Sequence, residues 1–120
     1  MSDQDKAEII IEEVCRFYNT TFEKINVKAR DRELVEPRQI IMYFMVKLTN
    51  LVGREIGWYF NQDHATVIHA SKAVENMIKY NGLGVKTSIM AGRIDFNMRQ
   101  FHIRKDAESF DKWTLSIGQF

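Results

Sequence analysis

A short polar segment, Asp63 to His69, concentrates side chains that can do chemistry in this chain of 120 residues. Its carboxylate, imidazole and hydroxyl groups can exchange hydrogen bonds with the base edges and phosphates of nucleic acid. Its two histidines, His64 and His69, are five positions apart, which does not match the i, i+4 pair of a helical metal site. The single cysteine is Cys15, and no nucleophile–base–orienter set emerges. We therefore expect no enzyme, no metal and no cofactor, and we interpret the segment as a binding surface.

The elements that must position this segment follow from the spacing of apolar residues. That spacing predicts helices over about 3–18, from Pro37 to about residue 50, over 54–60, and from Asp63 to about Tyr80, with one short turn of helix at 22–25. Asn61 and Gln62 are expected to form a tight turn, and Asp63 to cap the helix after it. A short helix, a turn and a longer helix form the helix-turn-helix layout. We expect an all-α helix bundle containing a helix-turn-helix, although a plain bundle reads the same way.

The outer face of the last of these helices is the candidate DNA-reading surface. Packing of Val67, Ala70 and Val74 into the core turns the opposite side outward. The candidate contacts on this side are Asp63, His64, Ala65, Thr66, His69 and Lys72. Asp63 can accept from a cytosine amino group, and the methyl groups of Ala65 and Thr66 can touch a thymine methyl. The alternative is a solvated polar face on which Asp63 is only a cap.

A charged segment, residues 26–36, is expected to form a loop before the helix at Pro37. Basic side chains on a loop can enter the minor groove or hold the phosphate backbone, and Lys28, Arg30 and Arg32 are the candidates here. Residues 1–23 carry an excess of acids and residues 24–54 an excess of bases, which favours a molecule with one DNA-facing side. A charged surface loop is the alternative.

Several of these residues together resemble the C-terminal DNA-binding domain of the bacterial replication initiator DnaA. The matching stretches are 28–44, 48–50, 55–57 and 63–70, within a resemblance over roughly residues 8–80. The resemblance implies a Trp-repressor-like helix-turn-helix and a short asymmetric duplex site like the initiator's box. It implies that Arg30 enters the minor groove. It also implies that Asp63, His64, Thr66 and His69 face the major groove or its phosphates.

The sequence departs from that family at defined positions. Ala65 stands where the family has the first of two threonines, and the turn before Asp63 is one residue shorter than usual. Arg54 stands where proline is frequent and adds a candidate phosphate contact, whereas Val46 replaces a residue that is often basic. We expect these changes to alter the preferred DNA site. Because the resemblance begins near residue 8, we expect no ATPase module in front of the domain.

The chain is expected to divide into a DNA-binding domain, residues 1–81, and a C-terminal extension, residues 82–120. Ile94, Phe96 and Met98 alternate as in a strand, yet the same region also fits a helix. The end of the extension, which includes Phe110, Trp113 and Phe120, is too apolar for a free tail. We expect it to cover the core or to mediate association, as a homodimer or with a protein partner.

These observations predict a sequence-specific double-stranded DNA-binding protein that acts as a transcription regulator or as a replication accessory of a phage or mobile element. We expect a cytoplasmic protein, since the N-terminus lacks a secretion signal and no apolar stretch is long enough to span a membrane. The alternative is a protein-interaction module that kept the scaffold and lost DNA binding.

Overall fold

The computed structural model describes the backbone of residues 1–117 and the side chains of residues 1–101 and 103. Within these residues it contains six helices and no strand, which confirms the all-α prediction. The helices are α1 (Asp3–Phe17), α2 (Phe22–Ile25), α3 (Arg32–Leu48), α4 (Gly53–Phe60), α5 (His64–Tyr80) and α6 (Gly84–Ile117).

The helix α3 lies at the centre of the fold and packs against α1, α5 and the short α2. Its residues Ile40, Ile41 and Met45 are fully buried. Buried residues of the helix-turn-helix pack against them. Among these residues, Val67 and Val74 are completely inaccessible to solvent. Ala70 and Ser71 are buried on the same side of α5. The prediction of the inward face of α5 is therefore correct, and its polar face is free to meet a partner.

The start of α3 differs from the sequence-based expectation. The helix begins at Arg32 rather than at Pro37, and Pro37 lies in its interior, fully buried. The first turn is closed by the N–H groups of Leu34 and Val35, which both donate to the carbonyl of Asp31. An internal proline removes one helical hydrogen bond, but Leu34 and Pro37 continue the apolar face of the helix into the core, and that packing outweighs the loss. The loop shrinks to residues 26–31, and Arg32 belongs to the helix.

The region after α5 forms a single long helix, so the strand alternative for residues 94–98 is wrong. The connector is only three residues long and contains Gly82 in the left-handed conformation. Leu83, Met90 and Ile94 are buried in the same core as α1, which packs against α6. The side chains of Phe110, Trp113 and Phe120 lie outside the described residues.

A buried polar contact joins α1 to α6. The carboxylate of Glu13 is only 3% exposed, and it accepts hydrogen bonds from Arg16 on its own helix and from Asn97 on α6. Burying a carboxylate is tolerated when its oxygens are satisfied in this way. The contact therefore specifies which face of α6 turns toward the domain.

A helix that crosses a bilayer must be both long and apolar. Among the residues that the structure describes, no helix combines the length and the apolar character of a membrane span.

Candidate nucleic-acid interface

The turn between α4 and α5 is compact because two residues allow an unusually close backbone approach. Asn61 ends α4 in the left-handed conformation, with φ of 57°, which asparagine tolerates better than most residues. The N–H of Gln62 donates to the carbonyl of Gly57 at 2.9 Å. A Cβ at position 57 would lie 2.2 Å from the carbonyl oxygen of Gln62. Gly57 is therefore the residue that lets the turn fold back onto α4.

The helix α5 begins at an Asp63 cap that also orients Thr66. One carboxylate oxygen, Oδ1, accepts from both the N–H and the hydroxyl of Thr66, each at 2.8 Å. These two bonds hold the pKa of Asp63 below its ordinary value, and the bond from the backbone N–H has the larger effect. In the described part of the chain nothing donates to the other oxygen, Oδ2. Asp63 can cap the helix with one oxygen and present the second to a DNA base.

Replacing the Asp63 carboxylate separates capping from base contact. Asp63→Asn should keep the cap, because the amide oxygen can accept the same hydrogen bonds, whereas Asp63→Ala should lower the melting temperature. Because the folded pKa lies below 3.8, the wild-type cap contributes fully above that pH and is lost as pH falls through the lower folded value. Thermal unfolding at pH 7 and at decreasing pH checks both statements. Equal melting temperatures for Asp63→Ala and the wild-type protein would contradict the capping role.

The polar face of α5 is open to solvent where a ligand would approach. His64, Ala65, His69 and Lys72 are exposed, and Thr66 is half-buried with its hydroxyl proton committed to Asp63. No described residue forms an ion pair with His64, His69 or Lys72. The N-terminus of a helix carries a partial positive charge that attracts phosphate groups. This end of α5 combines hydrogen-bonding groups with a field that favours DNA.

The basic loop, residues 26–31, lies beside the helix-turn-helix. Lys28 and Arg30 are exposed in it. Its first residue, Asn26, donates its side-chain amide to the carbonyl of Tyr59 near the end of α4 at 3.4 Å. Arg32 is exposed on the first turn of α3, 3.9 Å from Glu36. Because α3 begins at Arg32, Lys28 and Arg30 remain on the loop and the third basic candidate, Arg32, lies at its edge.

A groove lies between α3 and the polar face of α5. It has a volume of about 410 Å³ and is lined by Arg38 and Gln39 from α3, Gln62 from the turn, and Thr66 and His69 from α5. The guanidinium of Arg38 also donates to the carbonyls of Val27 and Ala29 in the loop. The loop and the start of α5 therefore lie on one side of the molecule.

Arg38, Gln39 and Gln62 were not identified as site residues from the sequence. Arg38 follows Pro37 directly, in a stretch interpreted as the beginning of a helix rather than its middle. Its position in the second turn of α3, facing the loop, becomes visible only when the helix begins at Arg32.

Arg54 lies in the first turn of α4, next to a residue that packs against the start of α5. It follows Gly53, where a Cβ would lie 3.3 Å from the Cβ of His64, so the first turns of α4 and α5 are in close contact. Its guanidinium carbon lies 5.9 Å from the ring centroid of Trp58. That indole is 69% exposed. The stacking directs Arg54 along the surface of α4.

Histidine and carboxylate side chains hold a metal ion when three or more of them converge. Among the described residues, no group of three or more histidine, cysteine, aspartate or glutamate side chains is arranged to hold a metal ion.

Comparison with known families bears directly on this geometry. Residues 7–74 match the family described as the bacterial DnaA protein helix-turn-helix. The chain belongs to this family. The match contains the basic loop, the whole of α4 and most of α5, whereas α6 lies beyond it. The helix-turn-helix of DnaA is a DNA-binding layout, so the interface described above coincides with the part of the fold that the family shares.

Chromosomal replication initiator proteins DnaA from several bacteria resemble this chain. That of a Thermoanaerobacter species is 43% identical over 75 residues, 62% of this chain and 17% of the relative. That of Wolbachia pipientis is 47% identical over 73 residues, 60% of this chain and 16% of the relative. That of Deinococcus radiodurans is 37% identical over 86 residues, 71% of this chain and 18% of the relative. The chain thus matches less than a fifth of the length of these DnaA proteins.

Proposed function

We propose that this protein binds double-stranded DNA in a sequence-specific manner, with the start of α5 in the major groove and the basic loop in the adjacent minor groove. The observation that carries the proposal is that Arg38 contacts the loop carbonyls and also lines one groove with Thr66 and His69. Two reading elements on one face can contact neighbouring grooves of one duplex.

The proposed roles follow from side-chain chemistry and exposure. Asp63, His64, Ala65, Thr66 and His69 contact base edges or nearby phosphates in the major groove. Lys28 and Arg30 contact the minor groove and its backbone. Arg32, Arg54 and Lys72 neutralise phosphates and contribute affinity without reading sequence.

The preferred site is proposed to be a short asymmetric sequence related to the DnaA box, altered by Ala65 and by the short turn. The protein acts in this proposal as a transcription regulator or as a replication accessory of a phage or mobile element. It requires no ATP hydrolysis and no cofactor for binding, and its place of action is the bacterial cytoplasm, where the DNA lies.

Selection from random duplexes, followed by titration of the enriched sequence at two salt concentrations, tests the proposal. A related enriched site, with affinity that falls steeply as salt rises, would support it. An unrelated enriched site would retain DNA binding and assign the changed preference to Ala65 and the turn. Absence of both enrichment and salt-sensitive binding would contradict it and favour the protein-interaction alternative.

We also propose that a second copy of the chain associates through the outer face of α6. Val85, Ile89, Phe96 and Ile103 are 72%, 44%, 60% and 57% exposed. They repeat at the spacing of a coiled-coil seam, on the side of α6 opposite the buried Met90 and Ile94. Gly92 lies in the same stripe and has open space at its Cβ position, which lets a partner helix approach closely. Arg99 also lies in this stripe, where it is paired with Asp95, and the apolar residues on either side of it can be covered by the stripe of a second copy.

Charge placed in this stripe should abolish the association. The double variant Phe96→Glu and Ile103→Glu is expected to sediment as a monomer at concentrations where the wild-type protein is a dimer, because each interface would bury carboxylates without partners. Gln4→Glu, which adds the same side chain on the exposed start of α1, should leave the dimer intact. Analytical ultracentrifugation measures all three. A monomeric wild-type protein at every concentration tested would contradict the proposal.

A further inference from the structure

The side chain of Arg38 joins the basic loop to α3 through two hydrogen bonds. Its Nη1 donates to the carbonyl of Val27 and its Nη2 to the carbonyl of Ala29. These two carbonyls flank Lys28, and Ala29 directly precedes Arg30. Arg38 therefore contacts the backbone of the segment whose side chains are proposed to reach the minor groove.

Few other contacts restrain this segment. Within the described residues, the main chain of 27–30 takes part in no other hydrogen bond, and the loop is otherwise fastened by Asn26 at its start and by the helix start at Asp31. The side chains of Val27, Lys28 and Arg30 are exposed, so packing adds little. Without Arg38, residues 27–30 would span between two fixed ends with their backbone free to reorient.

The two hydrogen bonds to the loop carbonyls suit the side chain of arginine and not that of lysine. A guanidinium presents several N–H donors in a rigid planar fork and can satisfy two acceptors at once. An ammonium group is a compact point charge on a flexible stem, and it would hold two carbonyls less well. The positive charge of both residues is the same, so exchanging them separates geometry from charge.

We propose that Arg38 is a positioning residue that orders the loop before DNA arrives, so that Arg30 is already directed toward the minor groove. Fixing a binding segment in advance lowers the conformational entropy lost on binding. Arg38 acts through Arg30 in this scheme rather than by contacting bases itself. The inference rests on the proposed DNA-binding function. The clamp, meaning the two hydrogen bonds from Arg38 to the carbonyls of Val27 and Ala29, is a property of the free protein and is tested without DNA.

Backbone NMR relaxation of the free protein tests the clamp, because it reports the order of the main chain even where no N–H donates a hydrogen bond. Arg38→Lys and Arg38→Gln should both lower the order parameters of residues 27–30, with those of helix amides in α3 and α5 unchanged. Arg93→Lys, the same substitution at an exposed arginine on α6, should leave the loop unchanged. Unaltered order parameters at 27–30 in both Arg38 variants would overturn the proposal. Circular dichroism of each variant establishes that the domain is folded.

Titration with the preferred duplex then distinguishes positioning from a direct phosphate contact. Positioning predicts that Arg38→Lys weakens binding about tenfold with the salt dependence retained. It also predicts little further loss in the Arg30→Ala background, because the clamp acts through Arg30. If Arg38 instead contacts a phosphate, lysine should preserve affinity and Arg38→Gln should lower the salt slope by about one, which would overturn the positioning role. If the wild-type protein binds no duplex, the proposed function fails together with this role in binding, while the relaxation result still decides whether the clamp exists.

Discussion

Gly57→Ala is expected to lower the free energy of unfolding by about 3 kcal/mol, the upper range for forcing an extra methyl group into a packed site. The added Cβ would lie 2.2 Å from the carbonyl oxygen of Gln62 and 3.1 Å from its carbon, both backbone atoms. A flexible side chain cannot move aside to relieve this contact, so the turn itself must shift. Thermal and urea unfolding measure the loss, and we expect the melting temperature to fall by roughly 10 °C.

Gly92→Ala is the matched control, because it makes the same change in another helical glycine. The Cβ position of Gly92 has no atom within 4 Å, and glycine in a helix interior costs about 0.5–1 kcal/mol relative to alanine. The variant should therefore be more stable than the wild-type protein when unfolding is measured at low protein concentration. A Gly57→Ala protein as stable as the wild type would show that the turn relaxes without cost and would remove the close-approach argument.

Arg30→Ala is expected to weaken binding to the preferred duplex by roughly 1–3 kcal/mol, about 5- to 150-fold, and to relax preference at the base pairs nearest the loop. Arg30 is exposed on the loop that Arg38 holds beside the helix-turn-helix. His64→Ala should produce a loss of similar size from the major-groove side. Fluorescence titration against the enriched site and against single-base variants of it measures both affinity and preference.

Lys72→Ala is the control for loss of charge alone. Lys72 is exposed on α5, two turns from the cap, where a phosphate contact is proposed. Its removal should weaken binding to all duplexes about equally and lower the salt slope by about one. If Arg30→Ala behaves in the same uniform way, Arg30 contacts the backbone only. Unchanged affinity for every duplex would remove its proposed role altogether.

Local patterns in the sequence were sufficient to predict most of the helix-turn-helix. The apolar spacing of Val67, Ala70 and Val74 predicts which face of α5 is buried, because a helix brings residues three and four positions apart onto one side. The capping preference of Asp63 predicts where that helix begins. These features depend on neighbours in the chain, and the structure agrees with them.

The sequence could not predict the start of α3 or the form of residues 83–117. Proline usually marks the first turn of a helix, and the packing that carries α3 through Pro37 involves residues of other helices. Periodicity also could not decide between strand and helix for residues 94–98. The helix is favoured because it buries Met90 and Ile94 in the core beside α1. In both places a long-range contact outweighs a local preference.

By itself the sequence determined the helical class, the turn at Asn61 and Gln62, and the polar residues that α5 presents. Each of these depends on periodicity or on the conformational preference of a single residue, which are local properties. The tertiary structure alone decided that Arg38 reaches back to the carbonyls of Val27 and Ala29, and that Gly57 lies against Gln62. Such contacts depend on the relative placement of separate elements, which is set by how the whole core packs.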